Sequence, residues 1–223
     1  MAGMGGVFLG GGGSVEDESA LWSEFVKDGQ RILYWPMALP TREHAFAERW
    51  LLGSLAPRGS FDVVMWSSVA GHGPEEMVGF DLVFIGGGNT YALLNDLQRH
   101  EFLEPTRQFV ANGGSLYGGS AGAVLAGADI STAEPFDSND VDLKDTSALN
   151  LLFGAVLQPH YEPSHDERLQ NYAAETLTTV IAVPERCGLV VRDGQARNVA
   201  PATVAIFGPG AVHFRSAGEA WNL

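Results

Sequence analysis

The stretch Ser115-Leu116-Tyr117-Gly118-Gly119-Ser120-Ala121-Gly122-Ala123-Val124-Leu125 decides how the rest of the chain is read. It opens as a short apolar strand and continues as an apolar helix. Between them lies Gly-x-Ser-x-Gly, the spacing of a nucleophile elbow, in the strand-to-helix context such an elbow requires. The turn is sharp and its serine is strained, so its neighbours must be small. Gly118, Gly119, Ala121 and Gly122 meet that need.

Working outward from this turn, strands and helices alternate. Gly6 to Leu9, Arg31 to Trp35, Phe61 to Trp66 and Leu82 to Ile85 read as strands. Leu21, Trp22, Phe25 and Val26 recur at helical spacing behind a Ser14 cap. Thr41 to Leu55, Thr90 to Leu97, Pro105 to Ala111 and Ala121 to Ala126 read as further helices. The order implies an α/β domain with a mostly parallel open sheet and helices on both faces. Ile130 to Asn150 is rich in Asp, Ser, Asn and Thr and reads as a loop. A strand over 154–158 and a helix over 164–177 follow. Short strands over 180–183, 188–191, 202–206 and 210–214 then suggest antiparallel hairpins at one edge of the sheet. No repeat or linker is visible, so residues 1–223 are expected to form one domain.

Composition narrows the function classes. The chain has 223 residues, enough to bury roughly 70% of its unfolded surface. Thirteen Lys and Arg face 27 Asp and Glu, a net charge of -14. Nucleic-acid binding needs clustered positive charge, and an anionic membrane would repel this one. No apolar run approaches the length of a bilayer span. The opening Met1-Ala2-Gly3-Met4-Gly5-Gly6 lacks the basic region and apolar length of a secretory leader. Cys187 is the single cysteine, which excludes an internal disulfide and any multi-cysteine zinc site. These features together predict a cytoplasmic protein.

Two other glycine clusters follow strands. Gly10-Gly11-Gly12-Gly13 superficially matches a dinucleotide loop. Glu16, Asp17 and Glu18 follow it, however, where a pyrophosphate would need positive potential. The second strand ends in Trp35-Pro36, without an acid to hold a ribose. The cluster is therefore read as a tight turn. Gly86-Gly87-Gly88-Asn89-Thr90 could bring backbone amides close to a ligand, with Asn89 capping the next helix or touching substrate.

A serine nucleophile needs a base. His44 and His100 fall on helices and read as surface residues. His72 sits in a loop and His213 inside the last strand. His160 follows Pro159 at the end of an apolar strand, on the expected rim, and ranks first on position. His165 ranks second. The carboxylate that would orient the imidazole stays open among Glu134, Asp137, Asp140, Asp142 and Asp145.

Gly86-Gly87-Gly88-Asn89-Thr90, Gly119-Ser120-Ala121-Gly122-Ala123, Asn139-Asp140 and Pro159-His160-Tyr161 come in an order and at separations that resemble the peptidase E family of serine peptidases. That family includes aspartyl dipeptidases and, more distantly, cyanophycinases. The resemblance runs from the first strand to the helix after His160. It implies a flavodoxin-like, class I glutamine amidotransferase-like fold with Ser in place of Cys as nucleophile. It implies that Ser120 attacks a peptide carbonyl, that His160 is the base and that Asp140 orients it. The oxyanion hole would be the amides of Gly88 and Ala121. Asn89, Thr90, His165 and Arg168 would face the substrate. No metal or organic cofactor is implied.

One departure concerns specificity. Aspartate-specific members carry an arginine that pairs with the substrate side chain. Here Ser164-His165-Asp166-Glu167-Arg168-Leu169 retains only the later arginine. Dipeptidase-like cleavage of short peptides with relaxed selectivity is therefore expected. The alternatives are a cyanophycinase-like isopeptide hydrolase and a non-catalytic ligand-binding relative. The oligomeric state is open, and a homodimer is compatible with the sequence.

Overall fold

A computed structural model describes residues 5–223. Met1 to Met4, the first residues of the segment read above as leaderless, lie outside them. Strands β1 (Val7–Gly10), β2 (Arg31–Trp35), β3 (Asp62–Met65), β4 (Leu82–Ile85) and β5 (Ser115–Gly119) run parallel in the order β3-β2-β4-β5-β1. From β2 onward this is the start of the flavodoxin strand order, with β1 in the fifth place. The carboxyl ends of β1, β5 and β4 are therefore neighbours, and all three glycine clusters meet on one rim.

The helices cover both faces because strand residues alternate between two apolar layers. Phe8, Ile32, Tyr34, Leu82, Phe84 and Tyr117 face one side. There they meet α1 (Ser19–Phe25) and α2 (His44–Leu55) through Leu21, Trp22, Phe25 and Leu51. Leu9, Leu33, Trp35, Val83, Ile85 and Leu116 face the other side. That side is covered by α3 (Thr90–Arg99), α4 (Leu103–Ala111) and α5 (Ala121–Leu125). The predicted α/β class is what the chain adopts. His44, read as a surface residue, is buried instead, with Nε2 3.0 Å from the Leu39 carbonyl.

After a loop over 126–155, β6 (Val156–Gln158), α6 (Asp166–Thr176) and β7 (Val180–Ala182) follow. The remaining strands are β8 (Gly188–Arg192), β9 (Gln195–Asn198), β10 (Val204–Phe207), β11 (Val212–Arg215) and β12 (Ala220–Asn222). They divide into two sheets. β8, β9 and β12 extend the large sheet beyond β1 as an antiparallel wing. β6, β7, β10 and β11 form a second, four-stranded sheet in which β6 and β7 are parallel. Strands β9 and β12 were not anticipated. They are short, and each turns a single apolar residue, Ala196 or Trp221, to the core, so they carry no alternating apolar pattern to be read by.

Among the described residues no helix is long and apolar enough to cross a membrane.

Candidate active site

Ser120 stands between β5 and α5 with φ 50° and ψ −110°, a conformation that side-chain-bearing residues rarely adopt. The elbow is tight on its inner side. A β-carbon at Gly122 would fall 2.6 Å from the Ile85 carbonyl oxygen at the end of β4. The small residues of the motif are thus needed because two strand ends and a helix start converge there.

His160 lies just beyond β6, also at positive φ, 49°. Its backbone N–H donates to the Gly11 carbonyl at 2.8 Å, tying the end of β6 to the loop after β1. Its ring rests on Gly12, where a β-carbon would lie 2.3 Å from Cε1 and 2.4 Å from Nε2. The first glycine cluster is therefore a bed for this imidazole as well as a turn. Nε2 is 2.9 Å from Ser120 Oγ.

On the opposite side of the ring, Nδ1 is 2.9 Å from Glu185 Oε1. With the ring proton on Nδ1 and shared with Glu185, Nε2 has a lone pair for the serine hydroxyl. The carboxylate expected in this place was Asp140, and the structure puts it elsewhere. Asp140 accepts from the Ser138 hydroxyl at 2.9 Å, while Asn139 closes its own turn onto Leu143. The reason is topological. β7 is parallel to β6 and its neighbour, so the residues just after it, Val183-Pro184-Glu185, reach the same rim as His160. The imidazole and the Glu185 carboxylate are both open to water, at 44% and 59% side-chain exposure.

Ser120 sits between two cavities. The smaller, about 180 Å³, is lined by Gly88, Thr90, Ala121, Asp137, Gln158 and His160 among others. The amides of Gly88 and Ala121 both border it and make no bond to another group among the described residues. Asp137 accepts the Thr90 N–H at 2.8 Å and is the one carboxylate in this lining. Thr90 lines this cavity.

Asn89 is bound up in structure. It caps α3 by accepting from Ala92 N–H and donates to the Ser138 carbonyl, each at 2.8 Å. Arg168 stands one layer behind the wall, donating to Gln158 Oε1 at 2.7 Å with its guanidinium over the Phe136 ring. His165 packs against Phe136 and Tyr161 and does not line the cavity.

The larger cavity, about 350 Å³, opens on the other side of Ser120 and has Glu18 in its floor. Glu18 is 1% exposed. It accepts from the Gly12 N–H at 3.0 Å and from the Tyr117 hydroxyl at 2.7 Å. Burial pushes its carboxyl above the usual carboxylate range. The same burial, together with Glu18, pushes the Tyr117 phenol well above its ordinary value. The glycine-rich loop thus spends an amide on an internal carboxylate, at the place where a dinucleotide site would present it to phosphate.

The sequence reading missed both Glu18 and Glu185. For Glu18 a signal was present, because residues 18, 21, 22 and 25 share one helical face and the other three are apolar.

A serine on a strained elbow, with an imidazole and a carboxylate in line behind it, is the arrangement that serine-dependent hydrolases use. The model of Peptidase family S51 matches residues 7–199, and the chain belongs to that family. Curated relatives named Peptidase E match over about half to three-fifths of their length. One from Haemophilus influenzae is 30% identical over 131 residues, 53% of this chain and 58% of that protein. One from Pasteurella multocida is 35% identical over 140 residues, 57% of each chain. The matched segment thus spans little more than half of these relatives. Among solved structures, a candidate Peptidase E protein from Listeria monocytogenes EGD-e superposes with TM-score 0.71 at 24% identity, covering 89% of this chain and 100% of that one. A peptidase from an acI-B1 Actinobacterium gives TM-score 0.68 at 19% identity, covering 100% and 98%. At these identities both likenesses speak for the fold.

Proposed function

We propose that the chain is a serine peptidase that releases residues from short peptides, with Ser120 as nucleophile, His160 as base and Glu185 as the carboxylate that orients it. The observation that carries this reading is the continuous line from Ser120 Oγ through the His160 ring to Glu185, 2.9 Å at each step.

As Ser120 Oγ attacks the scissile carbonyl, its proton passes to His160 Nε2, and Glu185 steadies the imidazolium that forms. The carbonyl oxygen gains negative charge beside the amides of Gly88 and Ala121. Each such donor is typically worth ~10²–10³ in rate. The tetrahedral adduct collapses when Nε2 returns the proton to the departing amine, and the acyl group stays on Ser120. A water molecule, deprotonated by the same nitrogen, then releases the acid and restores the serine.

Asp137 is suited to hold the free α-ammonium of the residue that supplies the acyl group, because it is the carboxylate of the smaller cavity. No arginine lines that cavity among the described residues. A bidentate clamp for an acidic side chain is hard to replace, so the expected selectivity is relaxed rather than restricted to aspartate.

The test is hydrolysis of Asp-, Glu-, Ala-, Ser- and Arg-initiated dipeptides by the wild type and by Ser120→Ala in parallel. Cleavage of several members that vanishes in the variant supports the reading. Equal rates in both proteins would remove Ser120 from the chemistry.

A further inference from the structure

Ser120 borders a second cavity, separate from the one assigned to the acyl residue. Its volume of about 350 Å³ is close to twice that of the smaller one. Its wall is built from Tyr34, Phe46, Trp50, Phe84 and Tyr117, with Glu18 in the floor. No lysine or arginine lines it among the described residues. Two of these rings are unusually open for their type. Phe46 is 67% exposed and Trp50 44% exposed, both at the mouth. The Glu18 carboxylate is already engaged by Gly12 and Tyr117, so it presents little spare acceptor to a cation, and the other carboxylate of the lining, Glu43, stands 3.5 Å from the Arg42 guanidinium.

Direction can be argued from the imidazole. The nitrogen that must hand a proton to the departing amine is His160 Nε2. The ring itself lines the smaller cavity, and its Cε1–Nε2 edge lies on Gly12, which lines the larger one, so this nitrogen stands between the two. Gly88 and Ala121 lie with Asp137 on the smaller one. An acyl residue seated beside Asp137, with its carbonyl turned to Gly88 and Ala121, sends its leaving nitrogen toward the Gly12 side.

We propose that the Tyr34–Phe46–Trp50 cavity is the pocket for the side chain of the leaving residue and selects bulky aromatic groups there. The proposal rests on the peptidase reading above. The wall of rings offers edge and face contacts to an aromatic guest, and the Phe46 and Trp50 surface now in water becomes buried. An acidic side chain meets the carboxylate in the floor and finds no cation. Alanine leaves most of the volume unfilled.

The experiment holds the first residue as alanine and varies the second. Rates for Ala-Ala, Ala-Phe, Ala-Trp, Ala-Lys and Ala-Glu are compared by kcat/KM. The aromatic members should exceed Ala-Ala by about tenfold or more, with Ala-Glu last. Phe46→Ala, at an exposed position that the core does not depend on, should shrink the Phe-to-Ala ratio by about threefold or more. Trp50→Ala should do the same, with its fold checked by circular dichroism. A ratio near one, a preference for Lys or Glu, or an aromatic preference that shows at the first residue instead overturns the assignment while leaving the peptidase reading intact.

If no dipeptide is cleaved in a Ser120-dependent way, the peptidase reading fails by itself. The pocket is then judged by calorimetry on Ser120→Ala, which should bind Ala-Trp more tightly than Ala-Ala and lose the difference with Phe46→Ala added. Equal binding of the two peptides overturns the proposal.

Discussion

Gly12 lies directly beneath the ring of His160, so close that a β-carbon there would sit 2.3 Å from Cε1. It also has φ +93°, where a side chain is strained in any surroundings. Gly12→Ala must therefore displace the imidazole or the loop. A shift of about 1 Å at a reacting group costs on the order of 10² in rate. The expected result is a fall of that size in kcat with the far-ultraviolet spectrum unchanged. Wild-type kcat in the variant would show that the ring does not need this bed.

Glu185 and Asp140 make contrasting predictions. Glu185→Gln should lower kcat by about 10²-fold with KM little changed. This is less than the ~10⁴ known for a buried orienting aspartate, because water reaches this pair. Asp140→Asn should leave kcat within about threefold, because its contact is to Ser138 and not to His160. The reverse ranking in steady-state kinetics would return the orienting role to the 137–142 loop.

Ser120→Gly should remove all serine-dependent turnover and yet stabilise the fold. The φ of 50° with ψ −110° costs a serine of order 1 kcal/mol more than a glycine. For a chain of this size that is a rise of about 2–4 °C in Tm. A lower Tm in the variant would mean that the Ser120–His160 contact outweighs the backbone strain.

Glu18 predicts a dependence of stability on pH. Burial raises its folded-state pKa above the ordinary 4.5. Its contribution is then fully present below that value and is lost as pH rises through the raised folded value. Between about pH 4 and about pH 8, wild-type Tm should therefore fall relative to that of Glu18→Gln, which cannot ionise. A wild-type-minus-variant difference that is flat or grows with pH would contradict the burial argument. The comparison of the two proteins cancels the titration of the other carboxylates.

Cys187 should be silent in the native protein. Its side chain is buried and hydrogen-bonded to Asn198 Oδ1 at 3.2 Å, and burial pushes its thiol up to about 12. The thiolate is the reactive form, so native protein at neutral pH should resist a thiol reagent that labels it at once in denaturant. Fast native labelling would indicate opening of the segment that joins β7 to β8.

How far the sequence could be read differed between residues for physical reasons. Ser120 was legible because Gly-x-Ser-x-Gly between a strand and a helix leaves few other uses for so many small residues. His160 was legible because a proline and a histidine closing an apolar strand place the ring on the rim of a parallel sheet. Glu185 was not, because its position depends on the direction of β7. A three-residue strand such as Val180–Ala182 carries no mark of whether its partner runs parallel or antiparallel. Glu18 was hidden inside an acidic run, Glu16-Asp17-Glu18, that looks solvated. Only its helical spacing from Leu21, Trp22 and Phe25 shows that it turns inward. The second sheet was missed as a separate layer for the same reason as Glu185, since pairing partners of short strands are set by long-range contacts.

The proposed nucleophile and its proposed base ride on different sheets, Ser120 on the large one at β5 and His160 on the small one at β6. Neither sheet's own ladder fixes the distance between them. The joint is stitched by His160 N–H to Gly11 and by the chain from β7 through Glu185 into β8. Slippage of one slab against the other would leave both ladders intact and still pull the serine out of reach of its imidazole. Warmth or mild denaturant that slackens this seam should therefore silence turnover, reversibly, at a lower dose than the one that melts either sheet.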